Sequence, residues 1–219
     1  MTSLRSRWRG ITTLACGLVL YAGAAWAQPR SDEQVWLSAE GQAVVTKRLR
    51  LGVEQQLRLD EQASGFDQTH TELSVAYRLR KFLSVGAGYR FIVRGAEERR
   101  HRGMADAALS HDLGPVELQY RFRVQMTTRE MDTQTVLRNR VRAAIDLPHR
   151  LMPFAAAEVH HVVDPGQELR ELRGYLGLDW EATRAVELQL FYLHQRELNV
   201  NVPERNHILG MGFRYRFRT

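Results

Sequence analysis

One cysteine, Cys16, is found in 219 residues. A disulfide within the chain is therefore excluded, and so are metal centres built from several thiolates. The longest apolar run, Ile11 to Ala25, lies at the start, and no other run is long enough for a membrane-spanning helix. No segment beyond Gln34 has the 3.6-residue period of an amphipathic helix. No Gly-x-Ser-x-Gly nucleophile elbow occurs, and no His or Cys set stands at metal-ligand spacing. The formal charge of +6 is modest. Arg5, Arg7 and Arg9 belong to the first segment, which leaves +3 for the remainder and gives no argument for nucleic-acid binding.

The first segment has the organisation of a secretory leader. Arg5, Arg7 and Arg9 form the basic region, Ile11 to Ala25 the apolar region, and Ala25-Trp26-Ala27 the small-residue cleavage site. Its apolar core is shorter than the roughly 20 residues of a spanning helix. The expected organisation is a signal peptide at 1–27 and a single barrel domain at 28–219. Cys16 then leaves with the leader, and the exported chain must hold together without disulfide staples.

The rest of the chain alternates. Val116, Leu118, Tyr120, Phe122, Val124 and Met126 are apolar, while Glu117, Gln119, Arg121, Arg123, Gln125 and Thr127 are polar. Successive side chains of a strand point to opposite faces, so this segment has one apolar and one wet side. The same pattern recurs over 49–59, 72–79, 83–94 and 209–217, and in weaker form at 34–45, 103–111, 135–147, 151–162, 169–180 and 185–196. That makes eleven alternating segments. Single-chain bacterial barrels carry an even number of strands, so ten or twelve is expected, with a strand overlooked near Gln28 to Glu33 or one segment wrongly divided. Short turns, such as Arg80-Lys81, are expected to alternate with longer polar loops at 60–68, 95–101, 128–134, 163–167 and 197–205. The fold class predicted is all-β: an antiparallel up-and-down transmembrane barrel of about 10–12 strands with its apolar face towards lipid. Aromatic residues near strand ends (Tyr77, Tyr89, Phe91, Trp180, Tyr215, Phe217) suit membrane interfaces, and long arginines interleaved with Gly86, Gly88, Gly210 and Gly212 suit a crowded lumen.

Several of these residues carry a family resemblance. Trp36, Lys47-Arg48-Leu49 followed by Glu54 and Leu57, Tyr77-Arg78-Leu79, Gly88-Tyr89-Arg90-Phe91, Pro153 to Val159 around Glu158, and Arg214-Tyr215-Arg216-Phe217 resemble the bacterial family called domain of unknown function 2490. The resemblance implies an exported barrel with no established activity, and it carries over no catalytic residue. One departure from outer-membrane barrels in general is that Phe217 is followed by Arg218 and Thr219 instead of ending the chain.

The residues with the most chemistry are arginines. Arg121 and Arg123 share one strand face, as do Arg138, Arg140 and Arg142, and Arg214 and Arg216. With Glu158 they are the expected lumen-lining set. Glu54, Glu72, Glu117, Asp146 and Glu158 are the inward acids available to pair with them. The leading reading is a non-enzymatic outer-membrane barrel, a small or mostly closed channel without cofactor or metal. Its partners would be outer-membrane lipid, the barrel-assembly machinery and a small solute. Alternatives are an enzyme acting on lipid or envelope polymer through Glu158, His160 and Ser110, a soluble periplasmic barrel holding a lipophilic ligand, or a scaffold that binds through its loops. Ser110 and His111 are adjacent and must face opposite ways.

Overall fold

The computed structural model describes residues 30–60, 64–129, 132–163 and 168–218. The expected leader, Cys16 and the cleavage site before Gln28 lie outside these residues. Eleven strands follow one another: β1 (Arg30–Val44), β2 (Leu49–Asp60), β3 (Gly65–Arg78), β4 (Leu83–Arg94), β5 (Glu98–Leu113), β6 (Val116–Arg129), β7 (Asp132–Ile145), β8 (Leu151–Val162), β9 (Glu168–Trp180), β10 (Val186–Glu197) and β11 (Glu204–Arg218). A short 3-10 turn, Pro148–Arg150, precedes β8.

Each strand pairs antiparallel with the next, and the sheet closes into a barrel through β1 and β11. The expected even number is corrected here. Residues 30–33 extend β1 instead of forming a twelfth strand. An odd barrel cannot close antiparallel, so β1 and β11 run parallel, with Arg30 opposite Glu204 and Val44 opposite Arg218. This seam is paired along fifteen residues of each strand and leaves no open edge.

The long loops are corrected as well. The polar stretches at 60–68, 95–101 and 128–134 run further into strand than expected, since β3 already begins at Gly65, β5 at Glu98 and β7 at Asp132, whereas 198–203 between β10 and β11 is a loop as expected. Backbone ladders continue wherever two strands stay in register, whatever the polarity of the side chains. Outward residues at these ends are accordingly polar, including Arg99, His101, Thr128, Arg196, Arg205 and His207.

Below that polar zone the outer surface is apolar. Leu73, Val75 and Tyr77 of β3, Leu176, Leu178 and Trp180 of β9, and Leu209, Met211, Phe213, Tyr215 and Phe217 of β11 are all exposed. Leu176 reaches 63 %. Polar atoms on this face are paired locally: Tyr89 Oη meets His101 Nδ1 at 2.6 Å, Tyr192 Oη meets His207 Nδ1 at 2.6 Å, and Tyr120 donates to Asn139 Oδ1 at 2.7 Å.

The inside is mixed. Trp36, Phe154, Tyr175, Leu193 and Ile208 form a buried apolar wall with Phe191 packed against it. Gly210 makes room for this wall, because a Cβ there would fall 2.0 Å from the Phe191 ring. Ile92, Met104, Val136 and Val162 are further buried apolar residues, and many of the other inward positions are charged or polar.

Candidate functional site

Strand register decides which inward residues meet. Arg140 stands opposite Arg121 on one side and Glu158 on the other, and Glu158 is opposite Arg173. Arg138 is opposite Arg123, and Glu54 opposite Glu72, which is in turn opposite Arg90. Like charges placed directly across a strand pair repel, so each such pair needs further neighbours.

Most of them have one. Glu158, 1 % exposed, accepts from Arg138 at 2.5 Å, from Tyr175 Oη at 3.2 Å, and lies 3.0 Å from His160 Nε2. His160 Nδ1 lies 3.4 Å from Glu171, which also pairs with Arg173. Arg123 reaches both oxygens of Asp106 at 3.1 Å. Arg142 donates to Asp179 at 2.5 Å and stacks 4.7 Å above Phe154. Near the end of the barrel where β11 finishes, Arg214 joins Glu40 at 2.6 Å and Glu187 at 2.7 Å, and Arg216 joins Glu181 at 2.9 Å and also Glu187. Several of these links cross-brace neighbouring strands from inside, and Arg142–Asp179 bridges β7 to β9 across β8. Each buried link leaves a buried charge stranded if one partner is removed.

Arg121, Arg123, Arg138 and Arg140 border one internal cavity of about 400 Å³, together with Arg58, Arg90, Arg102, Arg170 and Arg173. The acids on its wall are Glu54, Glu72 and Glu171, so the lining is strongly cationic. Arg214 lines a smaller recess with Glu40, Glu54 and Glu187. Arg142 and Arg216 face inwards through the ion pairs just described.

Two of the acids proposed as partners do not take that part. Asp146 lies past the end of β7 and is exposed, and neither it nor Glu117 forms an ion pair among the described residues. Asp106, Glu171, Asp179 and Glu187 do so instead. They sit at inward parity in their own strands, a signal present in the sequence. Arg58, Arg102 and Arg173 were readable in the same way, whereas an inward Trp36, Phe154 or Tyr175 breaks the rule that apolar side chains face out.

The catalytic combination considered from sequence is not assembled. Ser110 is paired in register with Gln119 and makes no side-chain hydrogen bond to Glu158 or His160, and His160 has a carboxylate near each nitrogen. One group has the donor set of a cation site: Glu54, His70 and Glu72. His70 is 1 % exposed, with Nε2 3.4 Å from Glu54. The Arg90 guanidinium already pairs with Glu72, its Nε at 2.8 Å, so a fixed positive charge occupies one side of that site. The residues fit a guanidinium better than a divalent ion.

The family described as protein of unknown function (DUF2490) matches residues 33–206, which span ten complete or nearly complete strands and the start of β11. The chain belongs to that family. No curated protein and no solved structure matches it. Within this family member the charged lumen is the part with the densest chemistry, and it lies almost wholly inside the matched region.

Proposed function

We propose that this protein is exported through a cleaved leader at 1–27 and resides in a bacterial outer membrane, inserted by the barrel-assembly machinery, as a narrow, mostly closed channel whose lumen favours anions. The observation that carries the reading is the sorting of side chains: bulky apolar residues outside, arginines inside. A soluble barrel reverses this, because exposed apolar surface of such extent is unfavourable in water. Strands of 12 to 16 residues exceed the roughly 9–11 needed to cross a bilayer at a tilt. Eleven strands place the barrel between small side-chain-filled barrels and open porins. Here ion pairs and the aromatic wall narrow the interior, and the arginine excess raises the local anion concentration.

Fractionation tests the location: the protein is expected in outer membranes after carbonate washing, and recovery as a monodisperse soluble periplasmic protein would overturn that part. Planar-bilayer recording tests the lumen. Small anion-selective conductance is expected, falling when Arg138, Arg140 and Arg142 become Gln. Silent bilayers despite verified insertion would sink the channel.

A further inference from the structure

We infer that Arg121 and Arg140 form a binding site for a phosphate group inside the lumen. Arg58 and Arg102 on the same wall also form no ion pair, but each donates to a neutral side chain, Gln56 and Thr127; Arg121 and Arg140 have neither kind of partner among the described residues. They face each other directly across β6 and β7, the arrangement that repels most. The neighbouring pair, Arg123 and Arg138, has the same relation, but Asp106 and Glu158 neutralise it. No carboxylate among the described residues pairs with Arg121 or Arg140. Glu158 is opposite Arg140 in register, yet its oxygens are turned to Arg138, His160 and Tyr175.

Arg140 is also pre-positioned. Its guanidinium stacks 4.6 Å from the Tyr175 ring, which is itself buried in the apolar wall. Its Nε is buried and donates to no group among the described residues. Two guanidinium forks on adjacent strands that border the same cavity of about 400 Å³, one of them held by stacking, match a tetrahedral oxyanion that accepts several hydrogen bonds at once. A spherical halide, a single acceptor atom, cannot match the two planar forks as the several oxygens of an oxyanion do. The chemical class assigned is therefore a phosphate dianion or a soluble phosphomonoester. The inference deepens the anion-favouring reading of the lumen and does not depend on where in the cell the barrel sits.

The test uses the purified, folded protein in detergent, titrated with inorganic phosphate and with glycerol phosphate, and with chloride at matched ionic strength. Saturable calorimetric binding is expected for phosphate and not for chloride. Binding of glycerol phosphate as well would extend the site to monoester end groups; binding of inorganic phosphate alone would restrict it to the free oxyanion. The R121Q/R140Q variant should weaken binding by about tenfold or more, since it removes charged hydrogen-bond donors. R121K/R140K, which keeps the charge and loses the fork, should fall in between, and R184Q on an exposed turn should match the parent. In phosphate-free buffer R121Q/R140Q should melt no lower than the parent, because a repelling pair has gone; this also shows that it folds. Equal phosphate binding by R121Q/R140Q, or equal binding of chloride, would overturn the site. A silent bilayer with phosphate binding intact would count against the channel alone.

Discussion

Replacing Glu158 by Gln is the sharpest perturbation of the lumen. The carboxylate is 1 % exposed and meets Arg138 at 2.5 Å, His160 at 3.0 Å and Tyr175 at 3.2 Å. An amide keeps the shape and one accepting oxygen but no charge. Arg138 would then face Arg123 with only Asp106 nearby to offset two cations. Removing one partner of a buried pair costs roughly 3–5 kcal/mol, and the retained hydrogen bond places E158Q near the lower end, about 3 kcal/mol. The assay is urea unfolding of the barrel in detergent micelles, read by the loss of β-sheet circular dichroism. E158Q combined with R138Q should recover much of the loss, giving a coupling of about 2 kcal/mol. E168Q removes an exposed pair with Arg170 and should cost less than about 1 kcal/mol. If E158Q costs no more than E168Q, the network is not holding the barrel and the argument from burial fails.

Three further outcomes follow from other parts of the molecule. Leu176→Arg, at the most exposed large hydrophobic residue of β9, should cost roughly 2–4 kcal/mol in a bilayer if that site lies near the midplane. Gln119→Lys, on the inward face of β6, should be tolerated; equal tolerance of both in liposome-insertion assays would count against a lipid-facing surface. Gly210→Ala should destabilise by about 1–3 kcal/mol because its methyl meets the Phe191 ring, and adding Phe191→Leu should restore stability, as judged by the same urea titration. A cysteine introduced at Phe213 should resist a membrane-impermeant thiol reagent in cells that admit it to the lumen, while one at Gln125 should react; the reverse pattern would invert the assignment of faces.

All eleven strands could be read from alternation, since period two is a local property and each segment carries its own copy of it. Closure could not. Whether β1 meets β11 depends on two segments some 170 residues apart, and a rule drawn from even barrels pointed away from the parallel seam seen here. Strand ends were misread for a related reason. Arg99, His101 and Arg205 are polar on the outer face and so resemble loop, yet their backbones remain in the ladder. In the lumen, parity identified the arginines, and the same rule would have found Asp106 and Asp179. The specific partners were hidden, because Arg142 reaches Asp179 two strands away and that meeting exists only once register and curvature are fixed. Trp36, Phe154 and Tyr175 turn inwards against the overall sorting: they are in phase with Glu40, Glu158 and Asp179 of their own strands, so parity places them inside although their apolar character points outwards.

The parallel seam separates the two ends of the sheet. In an even barrel the last strand returns the chain to the rim from which the first strand set out. Here β1 starts level with the start of β11, so Arg30 and Arg218 stand at opposite mouths. A tag fused ahead of Arg30 and another after Thr219 would therefore report from two different compartments if the barrel crosses a bilayer. Insertion would have to carry one end of the polypeptide through, with the closing strand sliding in alongside its neighbour head to head. Protease protection of the two tags, measured on the same vesicles, would reveal that asymmetry directly.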